Sequence, residues 1–182
     1  MKIYKYNSKH FGFEMPIPDG WSASPMVNLI ARLSQVSDSF GSPSGGKSDS
    51  RTIVGPNGKY LHILITPLSE SEPEPTIGQM EEYFDGLTNR QNLNVIETGT
   101  IQVANKDHFW ATYYRGFLMT LSSGGQMQFF KKYCLYLNRA EYLLTAGLFF
   151  VSAGEKMPTS QDLRECEGIF DEMISSIRLM NA

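Results

Sequence analysis

The stretch Gly41-Ser-Pro-Ser-Gly-Gly46-Lys47-Ser48 has the spacing of a phosphate-binding loop, a glycine, four residues, then Gly-Lys-Ser. In such a loop consecutive backbone N–H groups cradle phosphates, the lysine reaches the terminal oxygens, and the hydroxyl holds Mg²⁺. That chemistry needs a buried strand before the loop and a helix N-terminus after it. Here Ser34 to Ser39 precedes it, Asp49-Ser-Arg-Thr-Ile-Val-Gly-Pro follows it, and neither has the required pattern. No apolar strand elsewhere ends in an aspartate suited to the metal. We read the match as chance within a Gly/Ser/Lys loop, so nucleotide binding through Gly46, Lys47 and Ser48 is the weakest of three functional readings.

The other reactive residue types point the same way. His10, His62 and His108 are the only histidines, and none stands at metal-ligand spacing from another or from a cysteine. There is no Gly-x-Ser-x-Gly elbow to raise a serine nucleophile. Cys134 falls in a strand pattern and Cys166 on the apolar stripe of the last helix, so both are expected as buried free thiols, an environment that silences a thiol. The acid pairs Glu81-Glu82 and Asp171-Glu172 are sequence neighbours on helices, where side chains point apart. We expect them on solvent faces as solubility charges. No catalytic residue, cofactor or metal is expected.

One constellation stands out as a surface. His108, Trp110, Thr112 and Tyr114 alternate along one strand, and Tyr60 and His62 on another strand could continue the same face. Such a face is either covered by a helix or left as a groove for a partner, where Trp and Tyr supply large contact area with a polar tip.

The elements that would hold these residues can be read from periodicity. Tyr4 to Met15 is extended and is stopped by Pro16 and Pro18. Asp19-Gly20 turns the chain, and Trp21 plugs one end of the core. Met26 to Val36 has helical spacing, and Ser37 to Ser50 reads as a flexible loop. Asn57-Gly58 is a turn signal before a strand over Tyr60 to Thr66. Thr76 and Gln79 form a capping box for a helix with Ile77, Met80, Phe84 and Leu87 on one stripe. Four long strands follow, Asn92 to Ala104, Asp107 to Leu121, Gln126 to Asn138 and Glu141 to Val151, with links short enough to force an antiparallel meander. Thr159 and Asp162 open a last helix with Leu163, Cys166, Phe170, Met173 and Ile177 buried, and the helical pattern runs out through Ile174-Ser-Ser-Ile-Arg-Leu179. In the second long strand Phe109, Ala111 and Tyr113 alternate with His108, Trp110, Thr112 and Tyr114, and bulk on both faces predicts a sheet covered on both sides.

Composition sets the limits. At 182 residues the chain fits a single domain over 1–182, enough to bury roughly 70% of its unfolded surface. Hydrophobic residues make up 41% and the net charge is −3, with Lys131 and Lys132 the densest basic cluster. That gives no long-range field to gather nucleic acid. No apolar run is long enough for a membrane-spanning helix. The start Met-Lys-Ile-Tyr-Lys-Tyr lacks a signal-peptide core, so the cytoplasm is favoured, or an extracytoplasmic place if a leader has been removed.

The segment Phe11-Gly-Phe-Glu-Met-Pro-Ile-Pro-Asp-Gly-Trp21, a strand, a helix, a four-strand meander and a final helix ending near Ser-Ile-Arg-Leu together resemble the PsbP/Mog fold family. That group includes PsbP-like proteins, Mog, DcrB-like lipoproteins and Eag-type chaperones. The resemblance implies an α+β fold, an antiparallel β-sheet of about six strands with helices on its faces, and a role in binding other proteins. It brings no catalytic residue. The leading expectation is therefore a non-catalytic protein-binding or chaperone-like module, with a homodimer within that reading. The alternative is an envelope protein that binds a small molecule or lipid between sheet and helix.

Overall fold

Antiparallel pairing accounts for every strand among the described residues, which in the computed structural model are 1–7, 11–24, 49–56, 58–68, 73–91, 94–117, 126–138, 140–151 and 160–180. The aromatic N-terminal segment is not one strand but a pair, β1 (Lys2–Asn7) and β2 (Gly12–Ile17). The turn at Asp19-Gly20 forms as expected, with Gly20 at φ 85°, where a side chain would be strained. Trp21 then enters the core at 3% exposure, edge-on to Phe170 with ring centres 5.9 Å apart.

Two short strands escaped the sequence reading. β3 (Ser22–Ser24) and β4 (Asp49–Val54) are polar or lack clean alternation, and β4 begins inside the stretch expected as a loop. Residues 25–48, which carry the expected helix at 26–36 and the Gly41 to Ser48 motif, lie outside the described residues, as does His10. β5 (Lys59–Pro67) returns from β4 through a turn in which the Gly55 N–H donates to the Lys59 carbonyl at 2.9 Å.

Helix α1 (Ile77–Gln91) starts where its capping box places it. The Gln79 N–H donates to Thr76 Oγ1 at 3.3 Å, and the Thr76 N–H donates to Gln79 Oε1 at 2.8 Å. This satisfies two backbone donors that a helix start leaves orphaned. The meander follows as β6 (Asn94–Val103), β7 (Lys106–Phe117), β8 (Gln126–Leu137) and β9 (Ala140–Val151). The β6–β7 turn sits one residue earlier than expected, on Ala104 and Asn105, both at positive φ (51° and 62°). A two-residue turn of that hand matches the twist of the strands it joins.

Helix α2 (Ser160–Ser175) ends sooner than its apolar pattern does. Arg178–Met180 leaves the helix as β10, pairing Leu179 with Phe13 of β2. The local pattern allows a longer helix, but backbone pairing with β2 wins. The two segments that carried the family resemblance thus meet in one small sheet, ordered β1-β2-β10.

Among the described residues the main sheet has seven strands in the order β3-β4-β5-β9-β8-β7-β6, so the expected single sheet of about six is replaced by seven plus three. Its two faces bury different cores. Alternate residues of β8 go opposite ways: Phe130 and Cys134 pack with Met80 and Phe84 of α1, while Tyr133 and Leu135 pack with Cys166, Phe170 and Ile174 of α2. The small sheet joins the second core through Tyr6, Phe13 and Met15, and the Tyr6 hydroxyl donates to Asp49 on β4 at 2.9 Å. No described helix is long and apolar enough to cross a membrane.

Candidate functional site

Strand β7 sorts the expected surface residues by parity. Phe109, Ala111 and Tyr113 face α1. His108, Trp110 and Thr112 fall on the opposite side, toward α2, where His108 and Thr112 are each 1% exposed and Trp110 is partly buried against the core. Tyr114 continues the alternation, but its side chain lies outside the described residues. Tyr60 and His62 do not join them. Register runs Tyr60 to Gly147 to Phe130 to Tyr113, so Tyr60 shares the α1 side, as its ring contact with Phe130 shows. Ile63, in register with Trp110 through Leu144 and Tyr133, occupies the place expected for the Tyr60–His62 face. The six residues therefore split between two faces.

What the α2 side brings together instead is a cluster around Lys131. Its ammonium lies 3.0 Å from the Asp171 carboxylate, 3.9 Å from the centre of the Trp110 ring and 5.6 Å from that of Tyr133. Tyr133 donates its hydroxyl proton to the same carboxylate at 2.6 Å. Burial first, and then the Asp171 charge, push the Tyr133 hydroxyl far above the ordinary phenol range. Trp110 is fixed at its other end, where its indole N–H donates to the Thr100 carbonyl at 3.1 Å. The ring lies so close over Gly99 that a Cβ there would sit 2.6 Å from it.

Acidic groups crowd the same region. Glu167 stands one turn before Asp171 on α2, and burial raises its carboxyl above the usual range. Lys131 pulls it down, Asp171 and Glu97 push it up, and Arg164 lowers it further. Asp171 itself corrects the expectation of a solvent-facing pair, since it turns inward to two partners while Glu172 stays exposed. Lys131 and Lys132 are likewise no surface patch, at 3% and 1% exposure. Lys132 points the other way, 5.7 Å from the Phe84 ring. A buried lysine in an aromatic strand, two residues from Tyr133, was the one local hint of this cluster.

The arrangement suits holding rather than reacting. Lys131 gives its ammonium to a carboxylate and two ring faces, whereas an amine nucleophile needs a free lone pair and room for substrate. The two described histidines each use ring Nδ1 in a hydrogen bond, while Nε2 of His108 is buried without a hydrogen-bond partner among the described residues. The ring Nδ1 of His108 accepts the Tyr136 N–H at 3.2 Å, and His62 Nδ1 bonds Thr52 Oγ1 at 3.1 Å. Burial lowers the pKa of both; for His108, Lys106 lowers it further, while the Val103 carbonyl, Glu74 and Asp107 partly offset this. Cys134 and Cys166 are buried on opposite faces of the sheet and are not bonded to each other. Among the described residues no group of three side chains could hold a metal ion.

The class defined by these features is an α+β protein of two antiparallel sheets, with a helix against each face of the larger one. No family model and no curated protein matches the chain. Among solved structures it is similar to a protein of Bacteroides thetaiotaomicron VPI-5482 (TM-score 0.48, 11% identity), covering 93% of this chain but only 45% of that one. It is also similar to LpqN, described as involved in cell envelope biogenesis of Mycobacterium tuberculosis (TM-score 0.46, 9% identity, 99% and 91% of the two chains). A third is a variant of protein Mog1 (TM-score 0.43, 8% identity, 98% and 96%). Likeness this distant leaves the functional reading to the geometry.

Proposed function

We propose that the chain is a non-catalytic protein-binding module of PsbP/Mog-like architecture, with Trp110 as the anchor of its binding surface. The supporting observation is the way Trp110 is held. It is only partly buried, yet Lys131, the Thr100 carbonyl and the bare Cα of Gly99 fix its ring on three sides. A rigid, partly exposed aromatic ring loses little entropy on contact, which is the property of interface anchors. His108 and Thr112, each 1% exposed, are too buried to meet a partner.

The test is a pull-down from source lysate with three baits: the parent, Trp110→Phe and Trp110→Ala, each checked for a cooperative melt. A specific protein kept by the parent, reduced by Trp110→Phe and lost by Trp110→Ala supports the module and its anchor. Equal retention by all three folded baits removes Trp110 from the surface.

A further inference from the structure

β6 is the last strand of the main sheet, and among the described residues only β7 pairs with it. An edge strand presents a row of main-chain donors and acceptors that another strand can use. Proteins commonly blunt such edges with lysine or proline. β6 has neither: six of its ten residues are β-branched, and Glu97 is its only charge. A register shift between Val95 and Glu97 leaves Ile96 at 50% exposure, one of the few large apolar side chains so placed. Two β6 carbonyls, those of Glu97 and Thr100, accept bonds from Thr112 and Trp110. A carbonyl has a second lone pair, so these contacts stiffen the strand without closing its edge.

Charge decides what fits there. Exposed Glu97 faces the α2 side together with Glu167 and half-exposed Asp171, three carboxylates against two cations that act on Glu167, buried Lys131 and Arg164. Two copies of this chain joined at β6 about a two-fold axis near Glu97 would set these carboxylates against each other. A cationic strand would relieve them instead.

We infer that the β6 edge takes an extended segment of a partner protein as an added strand, with a lysine or arginine of that segment set against Glu97. This rests on the binding-module reading and adds the site and the chemistry of the occupant. Ile96 supplies the apolar contact, and Trp110 flanks the junction.

The probe is a capped octapeptide alternating valine and threonine with one central lysine, compared with its glutamate counterpart and with a backbone N-methylated form. Binding is followed by amide hydrogen exchange of β6 and by fluorescence anisotropy, on the parent and on Ile96→Lys and Glu97→Lys, both exposed positions. The lysine peptide should slow exchange in β6 and bind about fivefold tighter than the glutamate peptide. Glu97→Lys should reverse that order, and N-methylation should abolish binding. An unchanged preference in Glu97→Lys, or protection elsewhere than β6, overturns the proposal. So does a concentration-dependent dimer of the parent that Ile96→Lys dissolves, since the occupant is then a second copy. If both edge variants keep the pull-down partner that Trp110→Ala loses, the edge proposal fails and the module stands.

Discussion

The ammonium of Lys131 lies 3.9 Å from the centre of the Trp110 ring, with Asp171 3.0 Å away. A nearly buried cation is thus balanced by one carboxylate and two aromatic faces, those of Trp110 and Tyr133. The balance is lopsided, because Asp171 is 41% exposed and can be rehydrated while Lys131, at 4%, cannot.

That asymmetry predicts the order of a mutant series. Asp171→Ala strands the ammonium and removes the acceptor of Tyr133, and should cost about 3 kcal/mol. Lys131→Met keeps the packing and frees a carboxylate that water can reach, and should cost about 1 kcal/mol. The double variant should lie near Lys131→Met. Urea midpoints of the four proteins check this, and a double variant whose loss equals the sum of the two single losses would show that the pair is not coupled.

Both tryptophans lie over a glycine, and the two sites should respond differently. A Cβ at Gly55 would sit 2.4 Å from the Trp21 ring, and one at Gly99 would sit 2.6 Å from that of Trp110. Trp21 is held in the core against Phe170, so Gly55→Ala should cost about 3 kcal/mol. Trp110 has a way out to solvent, so Gly99→Ala should cost about 1 kcal/mol and shift indole emission to the red. Thermal melts with fluorescence read both effects.

Buried His108 and partly buried His62 give stability a pH dependence of known sign. Their folded pKa values lie below the ordinary value of about 6.5, so the fold prefers the neutral rings. Above that value both states are neutral and the stability is complete. As pH falls below it, the unfolded chain takes up protons first and stability drops until the folded values are passed. Urea midpoints should therefore fall between about pH 7 and pH 5, with a shallower slope in His62→Gln or His108→Gln. A flat profile for the parent would remove the effect.

Glu167 should behave in the opposite sense. Its folded pKa is raised, so at neutral pH its charge works against the fold, and that penalty fades as the pH falls through its titration. Glu167→Gln should raise stability at pH 7 by up to about 0.5 kcal/mol, since the site is open to solvent, and change nothing at a pH where the carboxyl is protonated. Melts at both pH values separate this from a packing effect.

Local signals were legible where their physics is local. The Thr76–Gln79 box, the α1 stripe through Met80 and Phe84, and the four long strands all follow from spacing along the chain. The polar strands β3 and β4 were not legible, because their pairing partners rather than their own residues make them strands. Arg178 and Leu179 read as helix until β2 is present to pair with them.

By itself the sequence determined the α+β class, the two apolar helix stripes, the buried thiols and the alternation that gives each strand two faces. Tertiary structure decided which faces coincide. Alternation sets parity within a strand, but the parity of Tyr60 relative to Trp110 depends on register across β5, β9, β8 and β7, and a slip of one residue anywhere inverts it. The same long-range geometry swings Asp171 onto Lys131, forty positions away in the chain, and leaves β6 without a neighbour on its outer side among the described residues. Backbone bonds between strands carry no record of their partner in either strand's own residues, so these relationships exist only in the folded chain.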